Sequence, residues 1–324
     1  MAVTKRALIA LALAAAAAVP AASAFAQEDW PSQPVKIIVP VAPGGTTDGI
    51  ARLLQEPLSQ RLGQPVVIEN KPGSAGVVAT DAVAKAPADG YTFGIVFTSH
   101  AANPAMMPSL PYDTEKDLVP VAFMWRSVVS WSVPASSPIQ TFDDLVAAAQ
   151  EPGAVIYGTG GVGQASHFSA ELFEQAAGVE MTHAPYRGAA LATADAIAGQ
   201  LPLLIVNTST VGEHARAGTM RILATASPER SKMFPDVPTL TELGYPVSIG
   251  EFNVLVAPAG TDPAILQKFN AAVREAMASD KVMDQLNARD LVTQDYDLEE
   301  VQQFIAEETE RMGKLVEDND IRPQ

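Results

Sequence analysis

"VKIIVPVAPGGTTDGIARLL", residues 35–54, carries a β-branched run, a glycine-bearing turn and then apolar residues at helical spacing. Gly63 stops that helix. "PVVIEN" (Pro65–Asn70) reads as a second strand, "PGSAG" turns into the helix "VVATDAVAKA", and "YTFGIVFTS" (Tyr91–Ser99) reads as a third strand. Strands that are apolar almost throughout, alternating with helices, predict parallel sheet covered on both faces.

A second series of the same kind follows "SVPASSPIQTFDDLVAAAQ". It centres on "VIYGTGGVGQASHFSAELF", residues 155–173, and continues through strands near 180–185, 201–206, 220–226 and 251–258. Helices near 264–278, 281–289 and 298–317 close the chain. Two α/β series predict two lobes with a cleft between them. The first lobe spans 27–131, the second spans 132–249, and residues 250–324 return to the first. Extended segments near Val128–Pro134 and Gly244–Phe252 are the candidate crossovers.

The segment before these series has its own logic. Lys5 and Arg6 precede an apolar run from Ala7 to Val19, then Pro20 and "AASAFAQ". That is the layout of a cleavable secretory signal over residues 1–26, too short for the ~20 apolar residues of a membrane span. There is no cysteine, so the chain has no disulfide framework, lipid-bearing cysteine or thiolate metal site, which fits a periplasmic protein. The formal charge is −16; removing Lys5 and Arg6 from the 21 basic residues leaves 19 against 37 acidic ones, or −18. Such a surface repels nucleic acid and offers no general attraction to anions. Any anion site must be built locally.

Each series supplies one. At "APGGTTD" and at "GTGGVGQ", flexible backbone and a helix N-terminus follow the carboxyl end of a strand. Free backbone N–H groups and the positive end of the helix dipole make each junction a small anion cradle. In open α/β sheets that edge is where ligands bind. Two cradles facing one cleft suit a small molecule with one or two carboxylates.

Gly158-x-Gly160-x-x-Gly163 also matches the dinucleotide fingerprint letter for letter. That reading wants an acidic residue closing the next strand, about 20 residues on. Glu180 opens that strand instead. Hydrolase elbows, phosphate-binding P-loops and zinc-protease motifs are absent, so no enzyme class, cofactor or metal is expected.

Longer stretches show a family resemblance. "DWPSQPVKIIVPVAPGGTTDGIARLLQEPLSQRLGQPVVIENKPGSAG", "AKAPADGYTF", "NPAMMPSLPYDTEKDLVPVA", "HAPYRG", "ILATASPERSKMFPDVPTLTELG" and "VLVAPAGTDP" resemble the Bug-type substrate-binding proteins of tripartite tricarboxylate transporters. The resemblance covers essentially the whole chain after the leader. It implies a two-lobe, type II-like periplasmic binding fold, each lobe a mainly parallel sheet flanked by helices. It also implies a monomer that closes on a small carboxylate and delivers it to membrane transporter subunits. A ligand sensor using the same cleft is the alternative.

Carried over position by position, the resemblance implies ligand contacts at Ala42, Gly44, Gly45, Thr46, Thr47 and Asp48 in the first loop, and at Ser99 and His100 after the third strand. In the second half it implies Thr159, Gly160, Gly163, Gln164 and His167, then Tyr186, Arg187 and Gly188, and finally Asn207, Glu251 and Asn253. Three departures stand near the expected pocket. Gln164 sits where a small hydroxyl residue usually starts the helix, Pro202 and Val206 replace acidic residues, and Glu251 stands where an aromatic residue is common.

For single residues, alternatives stay open. Asp48 either caps its own helix or meets a ligand donor. Arg187 either clamps a second carboxylate or is a surface cation. His167 orients the glycine loop or touches ligand, and His183 and His214 show no metal-ligand spacing. Glu251, if it lines the cleft, argues for a ligand with an amine, ring N–H or hydroxyl beside its carboxylate.

Overall fold

The computed structural model describes residues 30–44, 46–73, 76–107, 109–186, 188–318 and 321. The leader expected over 1–26, and the candidate residues Gly45 and Arg187, lie outside the described residues. The first elements are β1 (Val35–Val39), α1 (Thr46–Leu62), β2 (Val66–Asn70), α2 (Val77–Ala84), β3 (Thr92–Phe97), α3 (Thr98–Met106) and β4 (Leu118–Ser127). Then come β5 (Val129–Pro134), α4 (Phe142–Ala148), β6 (Ile156–Thr159), α5 (Ala165–Ala177), β7 (Thr182–Pro185), α6 (Ala189–Ile197), β8 (Leu203–Asn207), α7 (Thr208–Arg216) and β9 (Met220–Thr225). The chain finishes with β10 (Phe252–Pro258), α8 (Pro263–Met277), α9 (Asp280–Ala288), β11 (Leu291–Val292) and α10 (Leu298–Asp318).

These strands form two sheets, ordered β11-β4-β10-β3-β1-β2 and β7-β6-β8-β5-β9. Both are mixed. β1 runs parallel to β2 and β3, and β6 parallel to β7 and β8, as the βαβ reading requires. The strands that carry the chain between the sheets, or return it, pair antiparallel: β10 with β3 and β4, and β5 with β8 and β9. β10 lies inside its sheet and is buried along all 7 residues, which is why "FNVLVAP" shows no alternation of polar and apolar positions.

Helix ends follow local chemistry. Thr141 and Asp144 make a reciprocal capping box at α4. Asp262 caps α8 with Pro263 in its first turn. α8 is fixed to the first sheet by Phe269, whose ring stacks on Phe93 with centroids 3.7 Å apart. In the second sheet Trp131 is buried among Phe142 and Phe173. Its indole N–H donates to Ser169 Oγ at 2.9 Å, so the polar edge of that ring is satisfied. One apolar cluster reaches from Ile38, Val96 and Phe252 to Trp131 and Phe173, so the core is continuous from one sheet to the other.

Two expectations need correction. Strand "YTFGIVFTS" ends at Phe97, and Thr98 already begins α3. The cause is tertiary: Thr98 Oγ1 accepts from Phe252 N at 3.0 Å and reaches Gly250 O at 3.3 Å. Pro104 inside α3 hides the helix from a propensity reading. Val128–Pro134, read as a crossover, is mostly β5; the chain passes between sheets at Val128 alone. The return crossing runs beside it, with Ser127 N donating to Glu251 O at 2.9 Å. A Cβ on Gly250 would sit 2.2 Å from Ser127 O, so that close approach requires glycine.

Candidate functional site

Four strands lead into helices at this edge: β3 into α3 and β8 into α7 directly, β1 into α1 and β6 into α5 through short glycine-bearing loops. The N-termini of α1, α3 and α5 converge on the start of β10. Thr47 Oγ1 donates to Asn253 Oδ1 at 3.1 Å. Glu251 Oε1 accepts from Thr98 N at 3.0 Å, and its Oε2 accepts from Ala165 N at 3.3 Å. Segment 251–253 therefore lies between the two glycine-bearing junctions and touches both.

Glu251 is half-buried. Burial pushes its carboxyl up to about 7, although two backbone N–H groups and the Thr98 side chain favour the charged form. Neither α3 nor α5 has a side-chain cap from its own N-cap residue, Phe97 or Gln164. Glu251 serves both helices at once.

In the first junction Ala42, Gly44 and Thr46 are exposed and Thr47 half-buried. Asp48 is turned inward, its side chain 4% exposed. It accepts from Gly44 N at 2.9 Å, from Arg52 Nε at 3.0 Å and from Asn70 Nδ2 at 2.8 Å. The bonds from Arg52, Asn70 and Gly44 outweigh burial and lower its pKa to about 2. Asp48 is thus committed to shaping the loop.

In the second junction the side chain of the N-cap residue Gln164 makes no cap bond and lies over Gly160, where an added Cβ would come within 2.5 Å of its Oε1. Gly163 adopts φ +76° against Met106 of α3. His167 Nδ1 accepts from Gly163 N at 3.3 Å while Nε2 faces Glu171 at 3.2 Å, which assigns the proton to Nε2. His167 stacks on His183 at 4.1 Å, and His183 Nε2 meets Thr159 Oγ1 at 2.8 Å. Burial, helped by His167, lowers His183 to about 3. These stacked rings form a floor beneath the glycine loop.

Gly188 N donates to Gly160 O at 3.0 Å and Tyr186 N to Thr159 O at 3.1 Å, so the "PYRG" turn rests on the same loop. The Tyr186 hydroxyl itself points to Asp195 at 2.7 Å. Ser99 is buried in α3. His100 is placed elsewhere: 3% exposed, it borders the groove between α3 and α10 with its ring facing Tyr112, and burial lowers it to about 4. Asn207 occupies the N-cap position of α7 without a side-chain bond there. Thr98 and Ala165, which supply the backbone donors to Glu251, are absent from the sequence-based set; β3 enters α3 with no glycine to mark the turn.

No group of three His, Cys, Asp or Glu side chains among the described residues is placed to hold a metal ion. No helix among them is long and apolar enough to cross a membrane.

Residues 50–321 match the profile of the TctC family, described as the tripartite tricarboxylate transporter family receptor. The protein BugT of Bordetella pertussis is 36% identical over 299 residues, covering 91% of this chain and 92% of BugT. An R. palustris protein solved with adipate is 34% identical with a TM-score of 0.80, over 91% of this chain and 100% of that one. MatC from Rhodopseudomonas palustris, solved with malate, is 29% identical with a TM-score of 0.77, over 89% and 100% of the two chains.

Proposed function

Because this chain belongs to the tripartite tricarboxylate transporter receptor family, a family of periplasmic substrate-binding receptors and not of enzymes, we propose that it captures a small carboxylate in the periplasm. Closure of two lobes over the ligand then presents it to the membrane subunits of a tripartite transporter. The observation that carries this reading is the meeting of two glycine-bearing strand-to-helix junctions on one segment, through Thr47–Asn253 and Ala165–Glu251. Each junction brings helix-start backbone N–H groups and a positive helix end to that segment, in a chain whose overall charge is −16. The adipate and malate held by two similar proteins support a carboxylate of that size.

A ligand touched by both lobes stabilises the closed arrangement in proportion to its preference for that state. At a hundredfold excess over Kd this amounts to about 2.7 kcal/mol, which reads out as a rise of several degrees in Tm. Thermal-shift screening against aliphatic and aromatic mono- and dicarboxylates, with mass spectrometry of what co-purifies, should identify at least one such acid. Silence across the whole panel would count against the carboxylate assignment.

A further inference from the structure

Glu251 introduces a negative charge into the space between the two junctions, on a protein side chain rather than on a ligand. Its two oxygens take the first free N–H of α3 and the first free N–H of α5. These are the donor type on which a carboxylate ligand would rely. Asn253, two residues along β10, is tied to Thr47 of the first junction. A ligand held at the first junction therefore meets Glu251 at its other end.

Resting on the carboxylate-capture reading, we propose that Glu251 sets the ligand class of the cleft. It selects acids with one carboxylate and a hydrogen-bond donor at the far end, such as an amide, hydroxyl or amine, over dicarboxylates. The physical reason is double. The first N–H of α3 and the first N–H of α5 are already used, and the ionised Glu251 carboxylate, an acceptor only, presents its remaining lone-pair capacity to a ligand N–H or O–H. A second ligand carboxylate would face a like charge and find those two donors taken, unless one of the pair took up a proton.

The charged and titratable groups on the elements that meet Glu251 include His100 on α3, His167, Glu171 and Glu174 on α5, and Arg126 on β4. Their bonds run elsewhere: His167 to Gly163 and Glu171, and Arg126 to Glu308. The one cation in this set, Arg126, is paired with Glu308 rather than with Glu251. With Glu251 raised to about 7, the selection is strongest where that group is ionised, so the test belongs at pH 8.

Calorimetric titration at pH 8 should compare succinate with succinamate, adipate with adipamate, and terephthalate with terephthalamate. It should use the intact protein and its Glu251→Gln variant. In the wild type at least one half-amide binds tenfold or more tighter than its dicarboxylate, and in E251Q that ratio falls at least tenfold. Glu251→Met, similar in length and uncharged, serves if E251Q does not fold. A wild type that binds the dicarboxylates as tightly as the half-amides overturns the proposal, as does a ratio unmoved by the substitution. If neither these six acids nor any other carboxylate binds either protein, the carboxylate reading itself fails, and this inference fails with it.

Discussion

Glu251 reaches across from the start of β10 to the first backbone N–H of α5, its Oε2 lying 3.3 Å from Ala165 N. Gln164 holds the N-cap position of that helix but bends over Gly160 and leaves the donor free. Two residues that look like separate oddities in the sequence are one arrangement. The cap missing at Gln164 comes from a residue 86 positions beyond Ala165. Because the same carboxylate also holds Thr98 N at 3.0 Å, the two lobes share a single capping group.

That sharing has a pH signature. Glu251 and Glu174 are both raised to about 7, chiefly by burial. Between their unfolded values near 4.5 and about 7 the folded state holds more protons than the unfolded chain. Stability from these groups is therefore full below pH 4.5 and declines as pH rises through 7. The Tm of the free protein should fall between pH 4.5 and pH 7.5, and E251Q should show a shallower slope by differential scanning calorimetry. A variant slope as steep as that of the wild type would show that Glu251 titrates without perturbation.

Asp48 works in the opposite direction. Its folded pKa of about 2 lies below the ordinary value of 3.8, so its contribution is present above 3.8 and is lost as pH falls through 2. Asp48→Asn removes the charge that Arg52 and Gly44 N engage. The expected cost in urea denaturation at pH 7 is about 2 kcal/mol, in the range for a hydrogen bond to a charged group. An unchanged midpoint would remove Asp48 from the frame of the first loop.

Gly163 joins the lobes sterically. With φ +76° and Met106 Cε 2.8 Å from where a Cβ would stand, Gly163→Ala suffers backbone strain of about 1 kcal/mol and a clash with the facing lobe. Trimming Met106 should relieve the clash and leave the strain. A double-mutant cycle of Gly163→Ala with Met106→Ala should give a favourable coupling of at least ~0.5 kcal/mol. Strict additivity would mean that the two side chains do not meet in solution.

The dinucleotide pattern at Gly158, Gly160 and Gly163 yields a negative prediction. β7, the parallel neighbour of β6, ends at Pro185, where a ribose-binding site would place an acid. Addition of NAD should leave Tm unchanged at concentrations where a carboxylate ligand raises it. A clear rise would restore the cofactor reading.

Both glycine junctions and the alternation of strand and helix were legible because they are local: β-branched runs, turn glycines and helical spacing lie within one stretch. β10 among β3 and β4, and β5 among β8 and β9, were not, because antiparallel insertion is decided by partners far away in the chain. The early start of α3 was hidden for the same reason, since Thr98 is turned by bonds to 250–252 and Pro104 argues locally against helix. Asp48 could be narrowed to two roles from its place in the first helical turn, but the choice needed Arg52 and Asn70. Glu251 was visible as an anomaly. Its two partners are backbone groups, and no side-chain pattern announces those.

The paired crossings at Ser127 and Glu251, pressed together by the missing side chain of Gly250, have a mechanical meaning. Two short ribbons of backbone stapled edge to edge flex easily across their thin direction and resist sliding past one another or twisting. A hinge between the two halves would therefore turn about these paired crossings, beside the residue that carries the shared carboxylate.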